Sequence, residues 1–131
     1  MASVGKDRIT CHCLDTTAGR PAKGMRVRLE GGGAPLKTFE SLTDDDGRIK
    51  VWLPYSSETS SGEVPVYTLE DVLGQIKGTS RWTLRFDTAD YFGEENTFFP
   101  EAIIVFRVDE GQHYHVPLLL SPYSYTTYRG S

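Results

Sequence analysis

Apolar and polar residues alternate with a period of two along most of the chain, the spacing of strands that bury one face. Met25, Val27 and Leu29 oppose Arg26, Arg28 and Glu30, and Trp82, Leu84 and Phe86 oppose Thr83, Arg85 and Asp87. The same reading predicts strands over residues 9–14, 35–43, 48–53, 103–108, 114–120 and 123–128. Turn chemistry separates them at Gly31-Gly32-Gly33, Asp45-Asp46-Gly47 and Ser121-Pro122, where Gly and Pro supply the backbone angles that turns require. About eight short strands joined in this way define an all-β sandwich of two sheets. Pro117 lacks a ladder donor, so its strand is expected to bulge or to lie partly at an edge.

Two segments depart from the alternation. Leu69, Val72, Leu73 and Ile76 fall at i, i+3, i+4 and i+7, with Thr68 and Asp71 spaced as a capping-box variant and Gly78 as a stop, which predicts a short amphipathic helix. Thr88 is placed to cap one helical turn over residues 89–93. Residues 56–65 read as a polar loop, and no internal repeat is visible.

Composition narrows the class without naming a chemistry. At 131 residues the chain makes one domain, and 38% hydrophobic with 24% charged residues is a globular balance. No apolar run approaches a membrane span. The net charge of −4 gives no electrostatic reason to expect nucleic acid or an anionic membrane as partner, so any anionic substrate must meet locally placed cations. The first residues lack the apolar core of a secretory signal, and the final Arg-Gly-Ser is not the peroxisomal tripeptide. Cys11 and Cys13, two apart on a strand, would form a strained bridge and read as packing residues. An intracellular, reducing compartment, cytoplasmic or peroxisomal, is the expectation.

Candidate chemistry is confined to a few side chains. Of the three histidines, His12 lies opposite Ile9, Cys11 and Cys13, while His113 and His115 share the face opposite Tyr114, Val116, Leu118 and Leu120. Imidazole titrates near neutral pH and suits proton transfer. Spacing alone leaves open whether these rings converge or are separate surface residues. Three imidazoles could also hold zinc, but no fourth ligand is marked, and alternate strand positions keep Cys11, His12 and Cys13 from converging on one ion. No metal is therefore assigned. Arg48, after the Asp-Gly turn, and Arg129 offer planar forks of donors for an oxyanion or a urea-type carbonyl. Tyr123, Tyr125 and Tyr128 are candidates to line a groove for a flat heterocycle.

The segment HYHVPLLLSPYSYTTYRGS at 113–131 resembles the C-terminal signature of the 5-hydroxyisourate hydrolases, the enzymatic branch of the transthyretin-like family. TCHCLDTTAGRPAKGMRVRL at 10–29, DDDGR at 44–48, and FDTADYF with FFPE within 86–101 extend the resemblance over nearly the whole chain. It implies a transthyretin-like sandwich with one or two short helices, from which residues 54–80 depart as a longer loop and short-helix insertion. It also implies hydrolysis of 5-hydroxyisourate to 2-oxo-4-hydroxy-4-carboxy-5-ureidoimidazoline in urate degradation, with no cofactor. His12, Arg48, His115 and Ser131 carry over as catalytic residues, and Arg48 with Tyr128, Arg129 and Gly130 as substrate-binding ones. Family members assemble as homotetramers, dimers of dimers, around a channel. The alternative is a non-catalytic carrier of small ligands. Carriers share the LLSPYSY segment but place lysine, glutamate and threonine where His12, Arg48 and His115 stand.

Overall fold

The computed structural model describes residues 6–33, 36–55 and 67–131; the predicted loop at 56–65 and Pro35 lie outside them. One sheet is built from strands β1 (Ile9–Asp15), β2 (Arg20–Pro21), β5 (Arg48–Ile49), β9 (Tyr114–Ser121) and β10 (Ser124–Thr127). The other contains β3 (Arg26–Gly31), β4 (Lys37–Leu42), β6 (Leu53–Pro54), β7 (Ser80–Phe86) and β8 (Ala102–Val108). The first has the order β10-β9-β1, after which β2 and β5 share the far side of β1; the second runs β6-β4-β3-β7-β8. Among the described residues only β1 and β9 pair in parallel.

The alternation seen in the sequence resolves as an inner and an outer face on each sheet. Ile9, Cys11, Cys13, Leu118 and Leu120 meet Val27, Leu29, Phe39, Trp82, Leu84 and Phe86 in one buried cluster. Each such side chain contributes roughly 1.5–3 kcal/mol on leaving water. Both cysteines are free and buried, and the Cys11 thiol is pushed well up by the Cys13 thiol beside it and by burial. Gly31 closes β3 because Trp82 lies over it: a Cβ there would fall 2.3 Å from the indole.

The helix α1 (Leu69–Gln75) buries Leu69, Val72 and Leu73. Its capping box is complete, Thr68 Oγ1 accepting from Asp71 N and Asp71 Oδ2 accepting from Thr68 N, both at 3.0 Å. It ends before Ile76, which turns extended, so Gly78 follows the stop instead of making it.

Three sequence expectations need correction, and that for Pro117 is sharpened. The expected strand over 48–53 divides into β5 and β6, which lie in different sheets. Trp52 sits at the crossing, its indole N–H donating to Ile9 O at 2.8 Å and its backbone N–H to the Asp7 carboxylate at 2.8 Å. Those bonds compete with a continuous ladder and win. The second helix, α2 (Thr88–Phe92), is capped by Asp87, which accepts from Asp90 N; Thr88 is its first residue, and its hydroxyl donates to Phe99 O. β9 is paired along its length by β1 and over Leu118–Ser121 by β10, so Pro117 leaves a local gap on the β10 side and no bulge in its pairing. His113 precedes β9 and is exposed, so only two of the histidines lie on strands.

Candidate active site

Four side chains come together on the outer face of the β1 sheet because of register. Thr10 and His12 are two residues apart on β1 and therefore share a face. His12 stands opposite Arg48 of β5, and Thr10 stands opposite His115 of β9. Directly opposed residues are the ones whose side chains interact across a ladder. The His12 and His115 rings have centroids 6.4 Å apart, too far for a direct ring-to-ring hydrogen bond and close enough for one small polar group to touch both.

The turn between β4 and β5 does two tasks. Asp44 Oδ1 accepts from Asp46 N and from Arg48 N, both at 2.9 Å, which aims Arg48 onto β1; those backbone donors hold the Asp44 carboxyl below its ordinary range. The Asp46 carbonyl also lies 2.9 Å from His12 Nε2. A carbonyl cannot donate, so Nε2 carries the hydrogen and a neutral His12 presents Nδ1 as its free lone pair. Gly47 makes this approach possible. Its φ is +77°, and a Cβ there would fall 2.3 Å from Cys13 O. Among the described residues no carboxylate pairs with the Arg48 guanidinium, which leaves its donors free for a ligand.

His115 is half-buried. Burial, then the nearby charges of Arg48, His12 and Lys6, lower its pKa from 6.5, so it is a neutral imidazole at pH 7. Its Nδ1 lies 2.8 Å from Thr10 Oγ1. Gly130 packs on the ring from the other side, where a Cβ would lie 2.7 Å from Cδ2. Gly130 N donates to His115 O at 2.8 Å, and the pairing of Gly130 with His115 continues the β10 register. The ladder is broken between them opposite Pro117, which has no N–H to give.

Of the remaining site candidates, Tyr128 and Arg129 share a groove with His115. Arg129 stacks over the Tyr114 ring at 4.5 Å. With Tyr128 and His115 it lines a groove of about 440 Å³ beside β8. Tyr123 is exposed and Tyr125 packs edge-on against Phe99, so the three tyrosines do not share a groove. Ser131 is exposed one residue beyond the Gly130 bridge. Among the described residues no three His, Cys, Asp or Glu side chains gather as metal ligands. Sequence reasoning passed over Thr10, Lys6 and Lys50, which with Arg48 and His115 line a cleft of about 50 Å³. Thr10 was recoverable from its same-face spacing to His12. The two lysines carried no such signal.

The ten strands among the described residues, in two sheets packed over one core, form a sandwich of the transthyretin-like class. The chain belongs to the HIUase/Transthyretin family, whose pattern it matches over residues 9–130. It is similar to a probable 5-hydroxyisourate hydrolase of Schizosaccharomyces pombe, at 35% identity over 94% of this chain and 90% of that protein. Among solved structures it resembles 5-hydroxyisourate hydrolase of Klebsiella pneumoniae, with a TM-score of 0.65 and 28% identity over 94% of this chain and 98% of that one. It also shares its fold with sea bream transthyretin solved with thyroxine, at a TM-score of 0.68 and 23% identity, covering 95% of each chain.

Proposed function

We infer that the chain is a hydrolase of urate degradation that opens the cyclic amide of 5-hydroxyisourate. The observation that carries this reading is the cross-strand arrangement of Arg48 with His12 and of Thr10 with His115 on one sheet face. A water molecule between the two rings attacks the ring carbonyl. One lone pair of the imidazoles takes a proton from that water as the oxygen–carbon bond forms, a general-base step worth ~10²–10⁴-fold. Arg48 holds the carbonyl and then the developing oxyanion by charge-assisted hydrogen bonds. The carbon–nitrogen bond breaks, the departing nitrogen takes up the proton, and the former carbonyl becomes a carboxylic acid that releases the second water proton to solvent as it ionises to the carboxylate. His115 suits the base role because its neutral form dominates at pH 7. Ser131 relays a proton beside Gly130, and Tyr128 to Gly130 position it. No cofactor enters this scheme.

The cleft of about 50 Å³ that Thr10, Arg48 and His115 share is small against the roughly 300–1,000 Å³ that ligand sites occupy, whereas the groove of about 440 Å³ on the Tyr128 and Arg129 side of His115 falls within that range. An open sheet face becomes an enclosed site when a second surface covers it. We therefore propose that the chain works as a homotetramer, a dimer of dimers whose facing sheets close the channel over His12 and His115. Each subunit contributes one domain within residues 1–131, with 54–80 as an insertion beside it. No helix among the described residues is long and apolar enough to cross a membrane. The reading places the protein in the cytoplasm or the peroxisome.

The deciding assay generates 5-hydroxyisourate from urate with an added oxidase and follows its spectral decay. Acceleration over the spontaneous rate is expected, and its absence overturns the reading. His115→Ala and Arg48→Ala should each lose ~10²-fold or more in kcat with circular dichroism unchanged. Full activity in both would show that other residues do the chemistry. Fully active monomers in analytical ultracentrifugation would overturn the assembly.

A further inference from the structure

We propose that Thr10 is a positioning residue that fixes which nitrogen of His115 is offered to the reaction; this rests on the hydrolase reading above. A histidine ring turned by 180° about its Cβ–Cγ bond exchanges Nδ1 with Cδ2 and Nε2 with Cε1. The two orientations have nearly the same shape, so packing alone distinguishes them poorly, and partners at the two positions next to Cγ must do so. Here the two partners differ in kind. Thr10 Oγ1 lies 2.8 Å from Nδ1. On the other side Gly130 leaves so little space that a Cβ would be 2.7 Å from Cδ2, a site that accepts a ring C–H and offers no polar atom from a side chain. Turning the ring would put a carbon against the threonine hydroxyl and a nitrogen against the glycine, losing the hydrogen bond with no replacement.

The same bond serves the tautomer the reaction needs, although a hydroxyl can donate to a bare Nδ1 as well as accept from Nδ1–H. A threonine hydroxyl can accept from Nδ1–H, and it keeps accepting when the ring becomes imidazolium, because Nδ1 carries a hydrogen in both forms. Thr10 therefore needs no rearrangement when Nε2 takes a proton from water. A free imidazole in water prefers its hydrogen on Nε2, which would place a donor where the reaction needs a lone pair. His12 is set the opposite way, since its Nε2 gives its hydrogen to Asp46 O and Nδ1 is left free. The two rings thus present different nitrogens, Nε2 of His115 and Nδ1 of His12, the first facing away from a side-chain hydroxyl and the second from a backbone carbonyl. Thr10 reaches His115 across 105 residues of chain because β1 and β9 pair in parallel with these two residues opposed.

Thr10→Val keeps the β-branched shape and removes the acceptor, and Thr10→Ser keeps the acceptor. Thr10→Val is expected to lose ~10–100-fold in kcat, a part of the full general-base contribution, with KM within about twofold, while Thr10→Ser stays within about threefold of the parent. Two-bond ¹H–¹⁵N spectra of selectively labelled protein should show His115 with its hydrogen on Nδ1 in the parent and in Thr10→Ser, moving toward Nε2 in Thr10→Val. A parent-like kcat in Thr10→Val, or a parent spectrum with the hydrogen on Nε2, overturns the proposal. Should His115→Ala be fully active, the catalytic reading of His115 fails instead, and the spectra still report on Thr10 alone.

Discussion

Gly130 shows how much a single hydrogen in place of a side chain can decide. Its Cα faces the His115 ring, and a Cβ would meet Cδ2 at 2.7 Å and Pro117 Cγ at 3.0 Å. Gly130→Ala must push the ring off its place, so a loss of ~10–100-fold in kcat is expected, against only about 1 kcal/mol of stability. Parallel turnover and melting measurements separate the two, and unchanged turnover would show that the ring tolerates displacement. Gly47 is the stability counterpart. Positive φ and a backbone oxygen 2.3 Å from a would-be Cβ set the cost of Gly47→Ala at ~2–4 kcal/mol, read from the denaturant midpoint. The pH dependence also belongs to one residue. His115 has a folded pKa below its unfolded 6.5, so its neutral form is favoured by folding. Its contribution to stability is complete above the unfolded value and is lost as pH falls through the lowered folded value. The acid limb of kcat/KM should accordingly lie below pH 6.5. Adding salt, which screens Arg48 and Lys6 from the ring, should move that limb upward, and a limb above pH 6.5 at low salt would contradict the assignment.

At the scale of elements, local pattern and long-range pairing divide what the sequence reveals. The strand that carries Ile9, Cys11 and Cys13 inward and His12 outward follows directly from alternation, as does the capped helix at Thr68. The broken segment at 48–53 does not, because its alternation continues through Trp52 while the chain changes sheets. What stops the strand is the pair of bonds from Trp52 to Ile9 O and to Asp7, groups more than forty residues away. Likewise Pro117 suggests a partial edge when read locally, but only the pairing shows that β10 interrupts its ladder opposite the proline and rejoins at Gly130. The site follows the same rule. His12, His115 and Arg48 stand out as residue types, whereas the Thr10–His115 contact exists only once β1 and β9 are set side by side. Helix α1 supplies a control. Thr68→Ala removes a cap worth about 1 kcal/mol, and since the helix does not touch the histidine face, kcat should be unchanged while the melting temperature falls. A drop in kcat would reveal coupling between them.

For the whole molecule, the central fact is that the site and the core share one strand pair. β1 and β9 contribute Ile9, Cys11, Leu118 and Leu120 to the interior and Thr10, His12 and His115 to the opposite face. The face cannot come apart while the interior stays packed. Trp52 and Trp82 are both buried, so their fluorescence reports the interior. Activity and tryptophan emission are expected to disappear at the same denaturant concentration; activity lost well before the emission change would mean that the face loosens independently. Such long-range pairing also makes for folding slower than that of helical bundles of equal size.

The two thiols on either side of His12 turn this coupling into something that can be timed. Cys11 and Cys13 are sealed in the interior, and the Cys11 thiol is held in its protonated, unreactive form. A thiol-directed reagent can modify them only when the central strand detaches. Its labelling rate is thus an intrinsic stopwatch for the opening of the element that bears the histidines, with no probe grafted onto the protein.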